Sequence, residues 1–177
     1  MCIRDRVCDD FVGGHQCLCD VGAVDINGDD SACAVVSKVA AGAAHTCAIT
    51  SHGALYCWGS NLSAQLGDGT SSEQRAPVKV GAATNWSAVT AGAEHSCGIA
   101  AGALYCWGAN VEGRLGDGTT SPRTTPTRVG SDNDWTAIVA GAAHTCGLRA
   151  GGLYCWGKGG RVGDGTSDDR TSPVRIG

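Results

Sequence analysis

Three sets of histidine and cysteine at a fixed spacing carry most of the reactive chemistry in this chain. His45-Thr46-Cys47 is followed by Cys57, His95-Ser96-Cys97 by Cys106, and His144-Thr145-Cys146 by Cys155. A cysteine beside a histidine can serve as an activated nucleophile. The same groups can bind zinc, but a structural zinc takes four ligands and each set supplies three. Two cysteines on either side of a tight turn can also close a disulfide. The set recurs three times, which suits a structural role in strands better than a single active site. His45, His95 and His144 are therefore read as structural.

The elements that position these residues follow from the turn between the cysteines. If Ala101-Gly102 is a two-residue hairpin turn, Ala100 faces Ala103, Ile99 faces Leu104, and Cys97 faces Cys106. Hydrogen-bonded and non-hydrogen-bonded pairs alternate outward from the turn. The two cysteines fall on a non-hydrogen-bonded pair, with Cα atoms about 4.5 Å apart, at the short end of the disulfide range. Ala150-Gly151 gives the same count, with Cys146 facing Cys155. The first set has one more residue, the loop is Ser51-His52-Gly53, and Cys47 faces Cys57. Each bridge would close a loop of about 10 residues, worth roughly 2–3 kcal/mol. Disulfides are the favoured reading, with a metal site and free thiols as the alternatives.

These hairpins belong to longer repeats. AGAAHTC, AGAEHSC and AGAAHTC place their histidines 50 and 49 residues apart. LYCWG recurs with Trp58, Trp107 and Trp156, and LGDGT, LGDGT and VGDGT follow with Gly67, Gly116 and Gly163. Each unit closes with a proline and a short apolar end. Trp86 and Trp135 open the second and third units, where the first has Val36. The units run about 36–81, 82–130 and 131–177. Apolar runs of four to six residues punctuated by glycine indicate strands, and no run of helical period is long enough for a helix. The second unit reads as strands at 88–91, 94–100, 103–108 and 125–129.

The order AG-x-x-H-x-C, LYCWG-(A/S)-N, (Q/R)-LGDGT and P-x-(K/R)-V resembles the regulator of chromosome condensation repeat family. The resemblance covers residues 36–177 and implies a ring of seven four-stranded blades. The fold class expected is all-β: a partial β-propeller of about three four-stranded blades, preceded by a small disulfide-rich segment. The third unit departs at WGKGGRVGDG, which is two residues shorter and lacks the asparagine after Trp-Gly. Three units cannot close such a ring, since each blade needs a neighbour on both faces. The chain is read as part of a longer protein, whose other repeats would be its first partners.

Residues 8–33 have a different pattern. Cys8, Cys17-Leu-Cys19, Gly22, the Asn27-Gly28-Asp29 turn and Cys33 resemble the C-terminal part of an epidermal-growth-factor-like module. That resemblance implies a Cys19–Cys33 bridge, and partners upstream for Cys8 and Cys17, for which Cys2 is one candidate. Asp25, Asn27, Asp29 and Asp30 form an acidic loop but not a full calcium ligand set, so an ordinary turn is expected. Residues 1–7 read as a truncated or non-native leader.

The totals narrow the function. Net charge is −4 and there is no Lys/Arg-rich run, which argues against binding nucleic acid through its phosphates. No apolar stretch approaches 18 residues, so membrane insertion by a helix is not expected. Eleven cysteines point to an oxidising compartment, extracellular or at the cell surface or envelope, although the first residues do not spell a signal peptide. GDGT is a turn signal, and GKGGRVG lacks the ending of a phosphate loop. No catalytic set, metal site or cofactor is expected.

Function is placed instead on loops that differ between units, at 60–65, 71–76, 110–114, 119–125 and 130–134. The expected function is an extracellular protein-binding or scaffold module with an unidentified protein partner. One alternative is guanine-nucleotide exchange on a small GTPase, which the family resemblance implies. Another is inhibition of a secreted enzyme, because the cysteine-bearing repeats resemble the β-lactamase-inhibitory members of the family. Alkylation of unreduced protein followed by mass spectrometry is expected to leave all six repeat cysteines unlabelled, and six labelled thiols would end the disulfide reading.

Overall fold

The computed structural model describes residues 34–177 and three short strands before them: β1 (Cys8–Phe11), β2 (Gly14–Cys17) and β3 (Ala23–Val24). β1 and β2 pair antiparallel with Cys8 opposite Cys17. The Cys19–Cys33 bridge and the acidic loop expected near residue 27 lie outside the described residues.

From residue 34 onward the chain forms three antiparallel sheets, each a simple meander, and no helix occurs among the described residues. The first blade contains β4 (Ala34–Ala41), β5 (His45–Thr50), β6 (Leu55–Gly59) and β7 (Gln74–Lys79). β3 adds to the start of β4 as a fifth strand. The second blade is β8 (Trp86–Ala91), β9 (His95–Ala100), β10 (Ala103–Gly108) and β11 (Arg123–Arg128). The third is β12 (Trp135–Ala140), β13 (His144–Arg149), β14 (Gly152–Gly157) and β15 (Arg170–Ile176). Strands β8 and β11 start two residues before the expected positions. In both cases pairing resumes beyond a bulge, Trp86 with Ala100 and Arg123 with Gly108. A local apolar pattern does not register a pair on the far side of a bulge.

The hairpin register is Ala103 opposite Ala100, Leu104 opposite Ile99 and Cys106 opposite Cys97. Its turn has φ of 49° at Ala101 and 76° at Gly102, the double positive φ of a type I′ turn, whose twist matches that of the flanking strands. Ala150 and Gly151 repeat it at 48° and 71°. In the first blade the extra residue is absorbed as a three-residue loop, closed by the Thr50 amide on the Ala54 carbonyl at 2.9 Å. Disulfides join Cys47 to Cys57, Cys97 to Cys106 and Cys146 to Cys155, each across a Cα separation of 4.1 Å.

Blades stack face to face. Cys47, Ile49, Leu55, Cys57, Leu66 and Val80 of the first blade meet Trp86 and Trp107 of the second in one apolar cluster. One repeat later, Ile99, Leu104, Leu115 and Val129 meet Trp135 and Trp156. Trp86 lies over Gly98, where a Cβ would fall 2.8 Å from the ring, and Trp135 lies over Gly147 at the same distance. The first unit has the complementary small–large exchange, Val36 with Ala48. On the third blade no sheet covers the equivalent face among the described residues: Leu148 is 45% exposed, whereas its counterparts Ile49 and Ile99 are 2% and 1% exposed.

Ala101 and Ala150 hold a left-handed conformation that costs an L-residue roughly 1–2 kcal/mol and that asparagine tolerates better. Ala101→Asn is expected to raise stability by about 0.5–1 kcal/mol, read as a higher urea midpoint at unchanged slope. A lower midpoint would contradict the turn assignment.

Candidate functional site

Of the recurring histidines, His45 and His95 lie in the seams between blades, and His144 stands on the outer side of the third blade. Ser96 Oγ donates to the Gln65 carbonyl at 2.8 Å and accepts from His45 Nε2 at 2.8 Å. Thr145 Oγ1 donates to the Arg114 carbonyl at 2.9 Å and accepts from His95 Nε2 at 2.9 Å. Each imidazole is therefore tied to the next blade, whose hydroxyl is tied back to a loop of the first. Burial lowers the His45 pKa to about 4. Burial, assisted by the charges of Arg114, His45 and His144, lowers that of His95 to about 3. His144 is lowered by burial and by Arg161. The neighbouring thiols are all in disulfides, so no cysteine–histidine nucleophile is assembled, and no metal-binding cluster of His, Cys, Asp and Glu occurs among the described residues.

The recurring tryptophans and glycines meet across the same seams. Trp107 donates Nε1–H to the Gln65 carbonyl at 2.9 Å and covers Gly67, where a Cβ would lie 2.6 Å from the ring. Trp156 covers Gly116 in the same way, at 2.5 Å. Trp58 is half-buried, and at Gly163 no tryptophan ring lies within 4 Å of where a Cβ would stand among the described residues, the nearest atom being on Ile176 at 3.9 Å.

The loops that follow these tryptophans are held rigid from within. Asn61 is fully buried. Its Oδ1 accepts from the Leu66 amide at 3.0 Å, and its Nδ2 donates to Asp68 and to the Thr70 carbonyl, both at 3.1 Å. Asn110 makes the matching bonds to Leu115, Asp117 and Thr119 at 3.0, 3.2 and 3.0 Å. Burial alone would raise the Asp117 pKa, but hydrogen bonds from Thr119 and Arg123 outweigh it and hold the carboxyl below its usual range. The third loop lacks this asparagine and is closed instead by the Gly159 amide on Asp169 at 2.8 Å.

Directly after each buried asparagine stands an exposed apolar side chain: Leu62, 86% exposed, and Val111, 72% exposed. With Ala64, Ser71, Ala109, Thr120, Pro122 and Thr124 they line a groove of about 380 Å³ between the first two blades. Four of the five variable stretches noted in the sequence converge here. The fifth, 130–134, lies at the other end of the strands. No charged side chain lines the groove among the described residues, whereas the far side of the 110–114 loop, toward the third blade, carries Glu112 and Arg114, and Glu112 is paired with both Arg114 and Lys158 of the next loop. Leu62 and Val111 were not singled out in the sequence. Their signal there is an apolar residue inside a loop that is otherwise polar.

The family description "Regulator of chromosome condensation (RCC1) repeat" matches residues 52–99 and 101–148, and a second description of the same repeat matches residues 36–65. The chain belongs to the RCC1 repeat family. No curated protein matches the sequence. Among solved structures it is similar to Prp20p of Saccharomyces cerevisiae, described with its binding to Gsp1p and histones. That match has 25% identity and a TM-score of 0.73, covering 80% of this chain and 38% of Prp20p. Human WBSCR16 shares the fold at 23% identity and a TM-score of 0.72, covering 86% of this chain and 41% of that one. This chain thus spans about two-fifths of the length of these relatives. Within its RCC1 repeats, the shared motifs build the blade seams, and Leu62 and Val111 lie outside them.

The buried histidines give a pH dependence with a definite sign. They stay neutral in the fold but titrate near the ordinary value of 6.5 when unfolded, so their contribution is complete above about pH 6.5 and is lost as pH falls toward 4. The urea midpoint is expected to drop between pH 7 and pH 4. His95→Gln should cost about 1–3 kcal/mol at pH 7 and make that drop smaller. An unchanged pH profile in the variant would contradict the account.

Proposed function

We propose that the chain is an extracellular protein-binding or scaffold module without catalysis, with its partner held by the groove between the first two blades. The observation that carries this reading is the convergence of four variable loops on one uncharged groove flanked by two exposed apolar side chains. Exposed apolar surface rimmed by polar residues marks interaction sites, and loops on a rigid frame are where repeat proteins place binding. Three disulfides within the repeats favour an oxidising compartment. The same reading seats a further repeat on the open face of the third blade, where a Ser or Thr hydroxyl would meet His144 as Ser96 meets His45.

Guanine-nucleotide exchange on a small GTPase is the second reading. It draws on family membership and on the binding of Prp20p to Gsp1p and histones. The acidic net charge and the three disulfides favour the first reading over it.

The double variant Leu62→Asp, Val111→Asp is expected to change stability by no more than about 0.5 kcal/mol, as befits surface positions. It should weaken capture of the partner cross-linked to the native protein at the cell surface by more than tenfold. Undiminished capture would remove the groove from the reading, and accelerated nucleotide release from a small GTPase would favour the second reading.

A further inference from the structure

A second cavity, of about 530 Å³, opens at the opposite end of the strands from the groove. Two of its walls are the rings of Trp86 and Tyr105, packed edge to face with centroids 5.6 Å apart. The third repeat carries a counterpart built from equivalent positions, with Val129 for Val80, Trp135 for Trp86, Tyr154 for Tyr105 and Pro173 for Pro126. There the cavity is only about 140 Å³. Arg149 stands where the second repeat has Ala100. Its guanidinium carbon lies 4.8 Å from the Tyr154 ring and 5.5 Å from the Trp135 ring, and it is paired with the carboxylates of Asp132 and Asp134. The third repeat fills with its own side chain the space that the second leaves open.

The charge of the two pockets differs as much as their volume. The positions of Asp132 and Asp134 are occupied in the open cavity by Ala83 and Asn85. Among the described residues lining it there is no carboxylate, and the one charged group is Arg128. Arg128 is exposed and is steered by its Nη2, which donates to the Ser131 carbonyl at 2.8 Å and to Asn133 Oδ1 at 2.7 Å. A guanidinium entering here would find the aromatic walls but meet a like charge where Arg149 meets two acids. A carboxylate would meet the Nε and Nη1 donors that these two bonds leave over, beside the amide side chains of Asn85 and Asn133.

We propose that this cavity receives an acidic side chain of a protein partner. Its methylene stem lies along Trp86, Tyr105 and Ala100, as the Arg149 stem lies in the next blade, and its carboxylate bonds to Arg128. The proposal rests on the protein-binding reading and deepens it by naming the partner's chemistry. The third repeat supplies the design of the control. Ala100→Arg introduces a side chain that this fold already accommodates at the equivalent position, and it fills the cavity from inside.

The test is selection of a displayed random-peptide library on the immobilised chain. Selected peptides are then measured against the Ala100→Arg, Arg128→Gln and Leu62→Asp variants. The expected result is a peptide class enriched in Asp or Glu, whose binding falls at least tenfold with Ala100→Arg and with Arg128→Gln and is unchanged by Leu62→Asp. Enrichment in Lys or Arg, peptides indifferent to both Ala100→Arg and Arg128→Gln, or no enrichment at all overturns the proposal. Peptides lost only with Leu62→Asp would overturn it while leaving the protein-binding reading of the groove intact.

Discussion

A single sheet of this chain cannot cover itself, and the structure depends on how the next one covers it. The face built by Cys47, Ile49, Leu55 and Cys57 is apolar along its length, and it becomes a core only because Trp86 and Trp107 of the following repeat lie against it. Two-faced blades make stability a sum of neighbour terms, so the residues under strongest physical demand are those that reach across a seam. The second seam repeats the first with Trp135 and Trp156. On the third blade the same face leaves Leu148, Leu153 and Val139 in solvent.

The seams are not purely apolar, and the polar part explains the histidines. A buried imidazole is tolerated when its N–H has a partner and it is held neutral. The hydroxyls of Ser96 and Thr145 provide that partner, and their own protons are taken by loop carbonyls of the preceding blade. An apolar side chain at His45 or His95 would pack, but it would leave a hydroxyl of the next blade with one bond fewer. The arrangement specifies which strand of one blade meets which loop of another, a register that apolar contact alone would leave loose.

The repeating parts of this architecture were legible in the sequence. The hairpin register followed from one assumption about Ala101-Gly102 because side chains alternate with period two, so a turn of known length fixes every pair beyond it. The strand starts at Trp86 and Arg123 were not legible, because both lie past bulges. The Gly-rich spacing gave the loops but not their interior. That Asn61 and Asn110 bind both ends of a loop depends on distances between residues five to nine positions apart, which no local pattern encodes. The groove was visible only as a set of variable stretches. That four of them meet and the fifth does not follows from the packing of one blade on the next.

Where repeats agree, the residue is explained by the seam it builds, so chemistry particular to this protein has to be sought where equivalent positions disagree. Three such positions stand out. Val36 with Ala48 replaces tryptophan with glycine and sets the first blade apart from the two that follow it. Leu62 and Val111 give way to the shortened loop of Lys158, which restricts the apolar groove to one seam. Ala100 gives way to Arg149, which closes one pocket and leaves its twin open. The seam-building residues make no distinction between one blade boundary and the next, whereas these exchanges do. Together they mark out a single boundary, with an uncharged groove at one end of the strands and an arginine-bearing cavity at the other.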